Sequence, residues 1–321
     1  MAIERLNWEL GPSAQCQGGA MTIGNFDGVH RGHGALLAEL KKQAAAVGGP
    51  AVAVTFDPHP LQLLHPERFQ PVLTTLADRA AQLQHIGADH VVILHTTPEL
   101  LQLGANDFFA KVIRDGFRAR AVVEGENFGF GRDREGDVAR LRQLCGQAGM
   151  TFTAVSAFTL DGVPVSSSRV RNCLVRGAVS EATTLLGRPY RLRGVVSGGD
   201  RRGRTIGFPT ANLEQIPTLI PRDGVYAVGA VVNNVHRRGA LNIGPNPTFG
   251  VQARKVELHL LDFAGDLYGQ EIDVVFVERL RDTRPFDGVE ALVAQLRQDV
   301  QRVRELIADR SGEPPFQIQP N

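Results

Sequence analysis

The stretch Gly19–His33, GAMTIGNFDGVHRGH, decides the fold of the first half of this chain. A short apolar run, around Gly19–Ile23, reads as a strand. The residues from near His33 carry Leu36, Leu37 and Leu40 at helical spacing. A strand that turns through glycines directly into a helix is the opening of a βαβ unit. Glycines let the backbone come close to an anion, and the helix start presents unpaired N–H groups to it. His30 and His33 stand three residues apart with Gly32 between them. At a turn entering a helix, both imidazoles can aim at one phosphate. Displacement at phosphorus needs positioning and charge stabilisation more than a protein nucleophile, and this turn can supply both.

The alternation continues outward from that turn. Ala51–Phe56 (AVAVTF), His90–His95 (HVVILH), Ala119–Val123 (ARAVV) and Thr151–Ser156 (TFTAVS) read as strands buried on both faces. Residues 33–47, 75–87, 105–115 and 135–149 carry Leu and Ala at helical spacing. The expected fold is an α/β, doubly wound, Rossmann-like parallel sheet, with ligands at the carboxyl ends of its strands. A dinucleotide-binding dehydrogenase is disfavoured, because the first turn lacks GxGxxG.

From about Leu186 the pattern changes. Residues 187–277 have Gly and Pro clusters and alternating runs such as Val225–Val232, Lys255–Leu260 and Glu271–Val277, with no helix-length period between them. They predict a small antiparallel β-barrel or sandwich. Val289, Leu292, Val293, Leu296, Val300, Val303, Leu306 and Ile307 then predict one C-terminal amphipathic helix packed on it. The expected division is a first domain at 1–186, a second at 187–310 and a loose tail at 311–321.

Bulk composition agrees with two globular domains. The 321 residues are 43% hydrophobic and 21% charged, and 35 Lys and Arg face 34 Asp and Glu for a net charge of +1. That balance disfavours bulk nucleic-acid or membrane-surface binding but leaves room for small phosphate ligands. Three separated cysteines, Cys16, Cys145 and Cys173, form no CxxC pair and suit reduced thiols. The N-terminus lacks a signal-peptide pattern and no run approaches the ~20 apolar residues of a membrane helix. The expected location is the cytoplasm.

The Val29-His30-Arg31-Gly32-His33 element, preceded by Gly24-Asn25-Phe26-Asp27-Gly28, resembles the HxGH signature of the nucleotidyltransferase superfamily. In its GxFDGxHxGH form it resembles the adenylyltransferase half of the bacterial bifunctional riboflavin kinase/FAD synthetases. Thr55-Phe56-Asp57-Pro58-His59-Pro60, Gly125-Glu126-Asn127-Phe128-Gly129-Phe130-Gly131 and Ser166-Ser167-Ser168-Arg169-Val170-Arg171 resemble further elements of that half. The resemblance implies that His30 and His33 stabilise the α-phosphate of ATP while FMN attacks it. It makes Gly24, Asn25, Phe26, Asp27, Gly32 and Asn127 nucleotide contacts, with Asp27 also a candidate for Mg²⁺. Ser167, Ser168 and Arg171 would hold the outer phosphates. Gly129 departs from a frequent Arg, and Gly34 from a frequent Gln.

The second constellation is Ser197–Leu213, SGGDRRGRTIGFPTANL. A glycine- and arginine-bearing stretch can fold over phosphates. Pro209 presents Thr210 and Asn212 at alternate positions, a hydroxyl and an amide oxygen suited to Mg²⁺. GFPTAN resembles the riboflavin kinase module, which implies nucleotide contacts at Gly203, Arg204, Gly207 and Thr210. In Val256–Leu260, alternation puts Glu257 and His259 on one face of a strand. The segment continuing to Gly269 resembles the family's VExHLLDFxxDLYG, which makes Glu257 the general base. Asn242–Phe249 and Arg279-Leu280-Arg281 also look like family elements. The implied function is ATP-dependent phosphorylation of riboflavin to FMN, then adenylyl transfer to FMN, giving FAD and pyrophosphate. ATP, riboflavin, FMN and FAD are the implied small-molecule ligands. An alternative is an adenylyltransferase for another phosphate substrate, with the second module sensing flavin.

Overall fold

The structure is a computed structural model that describes residues 3–198, 202–233, 235–246 and 251–307. The expected tail at 311–321, and Pro247, Thr248 and Phe249 of one motif, lie outside these residues. The described chain forms two compact units, 3–70 with 74–167, and 71–73 with 168–307.

In the first unit, β1 (Ile3–Leu6), β2 (Ala20–Ile23), β3 (Ala51–Asp57), β4 (His90–His95), β5 (Ala121–Gly125) and β6 (Thr151–Val155) form a parallel sheet in the order β1-β4-β3-β2-β5-β6. The central strands are buried on both faces, β2 and most of β3 completely, as expected for helix-covered parallel strands. Their helices are α1 (Arg31–Val47), α2 (Pro60–Leu64), α3 (Leu76–His85), α4 (Pro98–Gln102), α5 (Ala105–Phe108) and α6 (Val138–Gln147). The helix expected over 105–115 continues past α5 as a π-helical stretch, Phe109–Gly116. A two-stranded hairpin, β7 (Thr159–Leu160) with β8 (Val163–Pro164), closes the unit.

Strand order reverses between β2 and β5, because β2, β3 and β4 succeed one another toward one edge of the sheet and β5, β6 toward the other. The two strands pair only at Ala20–Ala121 and Met21–Val122. They diverge toward their carboxyl ends, and the crevice that opens there is where ligands bind in such sheets.

The second unit opens with α7 (Ser167–Arg176) and α8 (Val179–Leu186). A closed antiparallel barrel follows, built from β9 (Arg191–Ser197), β10 (Ala211–Glu214), β11 (Gly224–Val232), β12 (Val235–Asn246), β13 (Val251–Leu260) and β14 (Glu271–Arg281). Its order is β10-β13-β12-β11-β14-β9, with β9 pairing β10 to close it. Closure removes the free edges that would otherwise template aggregation. Interior side chains alternate along each strand, as in Leu192 and Val196 of β9 or Val256, Leu258 and Leu260 of β13. One turn of helix, α9 (Arg202–Thr205), interrupts the stretch that was expected to lack helix. The last element, α10 (Val289–Leu306), packs Val303, Val300 and Leu306 against Ala227, Ala240 and Val277 of the barrel. Its buried Asp299 accepts from Arg281 Nε at 3.0 Å and Nη2 at 2.8 Å, a two-donor clamp on the end of β14.

Candidate functional site

In the first unit, α1 starts two residues earlier than the spacing of its leucines suggests, with His30 as its N-cap. The His30 Nδ1 accepts from the His33 backbone N–H at 3.4 Å, and the His33 Nδ1 accepts from the His30 N–H at 3.2 Å. This is a capping box made by two imidazoles in place of Ser and Glu. The rings stack with centroids 3.6 Å apart and 16° between planes. A ring nitrogen that accepts a bond carries no proton, so each imidazole has its N–H at Nε2. The capping geometry therefore fixes both tautomers and makes each ring a donor. The glycine between them has a steric reason: a Cβ on Gly32 would lie 3.1 Å from His30 Cε1 and Nδ1. Phe26 stands edge-on to His33 at 5.2 Å.

A cleft of about 240 Å³ opens beside this pair at the crevice. Gly24, Asn25, Phe26 and His33 line one wall, and Gly125, Glu126, Asn127 and Phe128 the other. Two motifs separated by about a hundred residues thus share one cleft, at the carboxyl ends of β2 and β5. Asn25 and Asn127 are both exposed there. Arg134 crosses the position of the family departure at residue 129. Its Nη2 donates to Asn127 O at 3.0 Å, and a Cβ on Gly129 would lie 2.8 Å from its Nε. A guanidinium therefore reaches this loop from residue 134.

Asp27 is placed differently from the expected nucleotide or Mg²⁺ contact. It is buried, and its Oδ1 accepts from the Thr74 N–H at 3.2 Å and from Arg79 Nη2 at 3.3 Å. The Thr74 hydroxyl accepts in turn from Gly28 N–H, and the Ser167 hydroxyl donates to Asp27 O at 2.8 Å. Burial pulls the Arg79 guanidinium below its ordinary value, and the charge of Asp27 opposes that pull. A carboxylate spent on a buried arginine anchors its loop and leaves little for a cation.

Sequence reasoning missed Glu124. Its buried carboxyl accepts from the Ile23 N–H at 2.6 Å, just where the ladder between β2 and β5 ends. Desolvation pushes its pKa well above the ordinary carboxylate value, against the lowering effect of the Ile23 N–H and the Thr22 hydroxyl. The side chain closes a backbone bond that the diverging strands cannot make.

Of the remaining first-site residues, Ser168 is exposed in the first turn of α7, and Arg171 donates to Pro71 O at 2.8 Å, both within the second unit.

In the second unit, GFPTAN leads into β10. The His259 ring lies 2.8 Å through Nδ1 from Pro209 O and 5.4 Å from the Phe208 ring, which holds this turn against β13. Gly203 and Arg204 lie in α9, Gly207 has φ +84° in the following turn, and Thr210 is exposed. Asn212 lies directly opposite Glu257. Its Oδ1 is buried with no hydrogen-bond partner among the described residues. An orphaned, shielded acceptor next to a carboxylate fits a hard cation that takes oxygen ligands. Among the described residues no cluster of three or more His, Cys, Asp or Glu could hold a metal.

A doubly wound sheet with two imidazole donors at its crevice defines a nucleotidyltransferase, here joined to a barrel with a phosphotransferase-type polar row. Residues 13–169 match the FAD synthetase family model and residues 186–307 the riboflavin kinase model. The chain is 39% identical to a bifunctional riboflavin kinase/FMN adenylyltransferase of Pseudomonas fluorescens, over 91% of this chain and 94% of that one. It is 34% identical to one of Bacillus subtilis, over 88% and 90%. The chain belongs to the bifunctional riboflavin kinase/FMN adenylyltransferase family, whose substrates and products are riboflavin, FMN and FAD. Membership disfavours the reading of the barrel as a flavin sensor. A crystal structure described as a macrolide-efflux protein from Streptococcus pneumoniae is 31% identical, with a TM-score of 0.86 over 95% of this chain and 99% of that one. Among the described residues no helix is long and apolar enough to cross a membrane.

Proposed function

We propose that this chain phosphorylates riboflavin at its barrel and adenylylates the resulting FMN at its parallel sheet, using ATP with Mg²⁺ at each. What carries the reading is one pair of polar side chains in each compact unit: His30 against His33 in the first, Asn212 beside Glu257 in the second.

At the sheet, a phosphate oxygen of FMN attacks the α-phosphorus of ATP, and the bond to pyrophosphate breaks. The Nε2–H donors of His30 and His33 stabilise the charge that builds on the α-phosphate oxygens. Gly24, Asn25, Phe26, Gly32 and Asn127 border the nucleotide, and Ser167 with Asp27 holds the loop that carries them. For Ser168 and Arg171, a role in binding the outer phosphates rests on their motif.

At the barrel, Glu257 takes the proton from the 5′-hydroxyl of riboflavin as that oxygen attacks the γ-phosphorus of ATP, and ADP leaves. Asn212 Oδ1 and the Thr210 hydroxyl would hold Mg²⁺, which would neutralise charge on the phosphate oxygens. Gly203, Arg204 and Gly207 contribute to the phosphate-covering turn. We place both reactions in the cytoplasm, in keeping with three free, buried cysteines.

Incubating the chain with riboflavin, ATP and Mg²⁺ and separating the products tests the proposal. FMN with ADP should appear first, then FAD with pyrophosphate. Unchanged riboflavin would overturn the kinase assignment, and added FMN that yields no FAD would overturn the other.

A further inference from the structure

Four residues on four neighbouring barrel strands form one row. Ser197 of β9 is opposite Asn212 of β10, Asn212 is opposite Glu257 of β13, and Glu257 is opposite Asn242 of β12. Residues directly opposite in an antiparallel pair share a face, with Cβ atoms about 4.5–5.5 Å apart. The chain neighbours Val196, Leu213, Leu258 and Leu241 are all buried in the barrel interior, so the row lies on the outer wall.

Outer-wall polar groups ordinarily meet water. Ser197 Oγ does not: like Asn212 Oδ1, it is shielded from solvent and has no hydrogen-bond partner among the described residues. The serine hydroxyl could donate to the amide oxygen across the ladder, yet the two are not bonded to each other. Buried polar atoms are nearly always paired. Two orphans side by side, next to a carboxylate, mark a place left for a third party. Both are oxygens with lone pairs, so one hard cation, or a water it carries, satisfies the two together.

We propose that the Ser197 hydroxyl is a further protein contact of the kinase-site cation, acting with Asn212 on the hydrated Mg²⁺ that accompanies ATP. The inference rests on the kinase-site reading above and adds a residue to it. Ser197 orients the cation shell on the side of Asn212 away from Glu257, so that base and cation occupy adjacent places along one row. Without ligand its hydroxyl has no bond among the described residues to lose.

The test uses the full chain with Ser197→Ala, Ser197→Thr and Asn212→Ala. ADP binding is titrated by calorimetry at a series of Mg²⁺ concentrations, and ligand-free melting temperatures are measured alongside. FAD formation from added FMN controls for the nucleotide site on the parallel sheet. Ser197→Ala should need about tenfold more Mg²⁺ for half-maximal ADP binding at the affected site, the scale of losing one supporting contact to a metal. Its ligand-free melting temperature should stay level or rise, because an unpaired buried hydroxyl is gone. Ser197→Thr, which keeps the hydroxyl, should restore the Mg²⁺ dependence. If Asn212→Ala shifts the Mg²⁺ dependence and Ser197→Ala does not, Ser197 does not contact the cation. A lower ligand-free melting temperature with unshifted Mg²⁺ dependence would also overturn the proposal, by making the hydroxyl structural. If Asn212→Ala shifts nothing, the kinase-site reading itself fails.

Discussion

Arg79 Nη2 lies 3.3 Å from Asp27 Oδ1, and neither side chain is more than 5% exposed. The two residues are 52 apart in sequence, and their pairing ties the loop before His30 to α3. Breaking a buried pair by removing one partner leaves an uncompensated charge, at a cost of about 3–5 kcal/mol. Arg79→Leu should therefore lower unfolding free energy by that order in denaturant titration, and FAD formation should fall with it. Asp27→Asn keeps the shape but leaves the buried Arg79 guanidinium without its counter-charge, so it should cost a similar amount. If Asp27 were instead a cation ligand, Asp27→Asn would raise the Mg²⁺ requirement of FAD formation and leave stability unchanged.

His30 has two duties that one substitution can separate. It caps α1 through Nδ1 and is the proposed donor to the α-phosphate through Nε2. Asparagine is a good N-cap but cannot place a donor where the imidazole Nε2–H points. His30→Asn should melt within a few degrees of the parent, while FAD formation from FMN falls about 10²–10³-fold, the usual effect of losing one donor to a charged transition state. Riboflavin phosphorylation should continue.

Glu124 gives a pH dependence with a definite sign. Its folded pKa is raised well above the ordinary 4.5 by burial. Between those two values the unfolded chain is ionised at this position and the folded chain is not. The folded state then holds the extra proton, so stability falls as pH rises through that window. Glu124→Gln retains an acceptor for the Ile23 N–H and removes the titration. Melting temperature should rise relative to the parent at neutral pH, with the difference shrinking as pH approaches 4.5. A gap of the same size at both pH values would mean that Glu124 is ionised in the fold.

Residues 168–186 group with the barrel. The Ser180 hydroxyl donates to Val277 O, Arg222 N–H donates to Leu174 O, and Val179, Ala182, Leu185 and Leu186 are buried. A fragment starting at 168 should fold and form FMN. One starting at 187 loses that apolar cover and should melt lower or aggregate, as thermal denaturation and light scattering would show.

The periods of the sequence carried most of the fold because buried parallel strands and long helices repeat apolar residues at fixed spacing. They failed where the environment is mixed. In β1 at the sheet edge only Leu6 is buried, so Ile3–Leu6 carries no apolar period that would mark a strand. β9 has Arg191 and Arg193 on its outer face, and in β12 the consecutive Arg237 and Arg238 break the alternation. At the sites, local spacing was enough to place His30 beside His33 and Glu257 on the strand face of His259, while their roles rest on the motifs. Ser197, Glu124 and the Asp27–Arg79 pair depend on strand register or on distant packing, and no local spacing encodes either. Asp27 was expected as a ligand from its motif alone, and its partner on α3 is 52 residues away in sequence.

The last prediction separates the two chemistries within one chain. Glu257 shares its face of β13 with His259, whose Nδ1 is already engaged with Pro209 O. That bond uses Nδ1–H and leaves Nε2 as the ring's acceptor; the carboxylate is the proposed base because it is the group placed opposite Asn212. Glu257→Gln keeps size and polarity but cannot take up the riboflavin 5′-hydroxyl proton at neutral pH. General-base contributions are about 10²–10⁴-fold, so FMN formation should drop by that order. The position lies on the outer wall, between buried Val256 and Leu258 that the change leaves untouched, so melting temperature should hold. FAD formation from added FMN should stay near the parental rate, because His30 and His33 belong to the other unit. Asn212→Ala should also lose FMN formation, but excess Mg²⁺ should recover part of it, which no amount of cation should do for Glu257→Gln. Riboflavin phosphorylation at the parental rate in Glu257→Gln would move the base to His259, whose Nε2 is the ring nitrogen not engaged by Pro209.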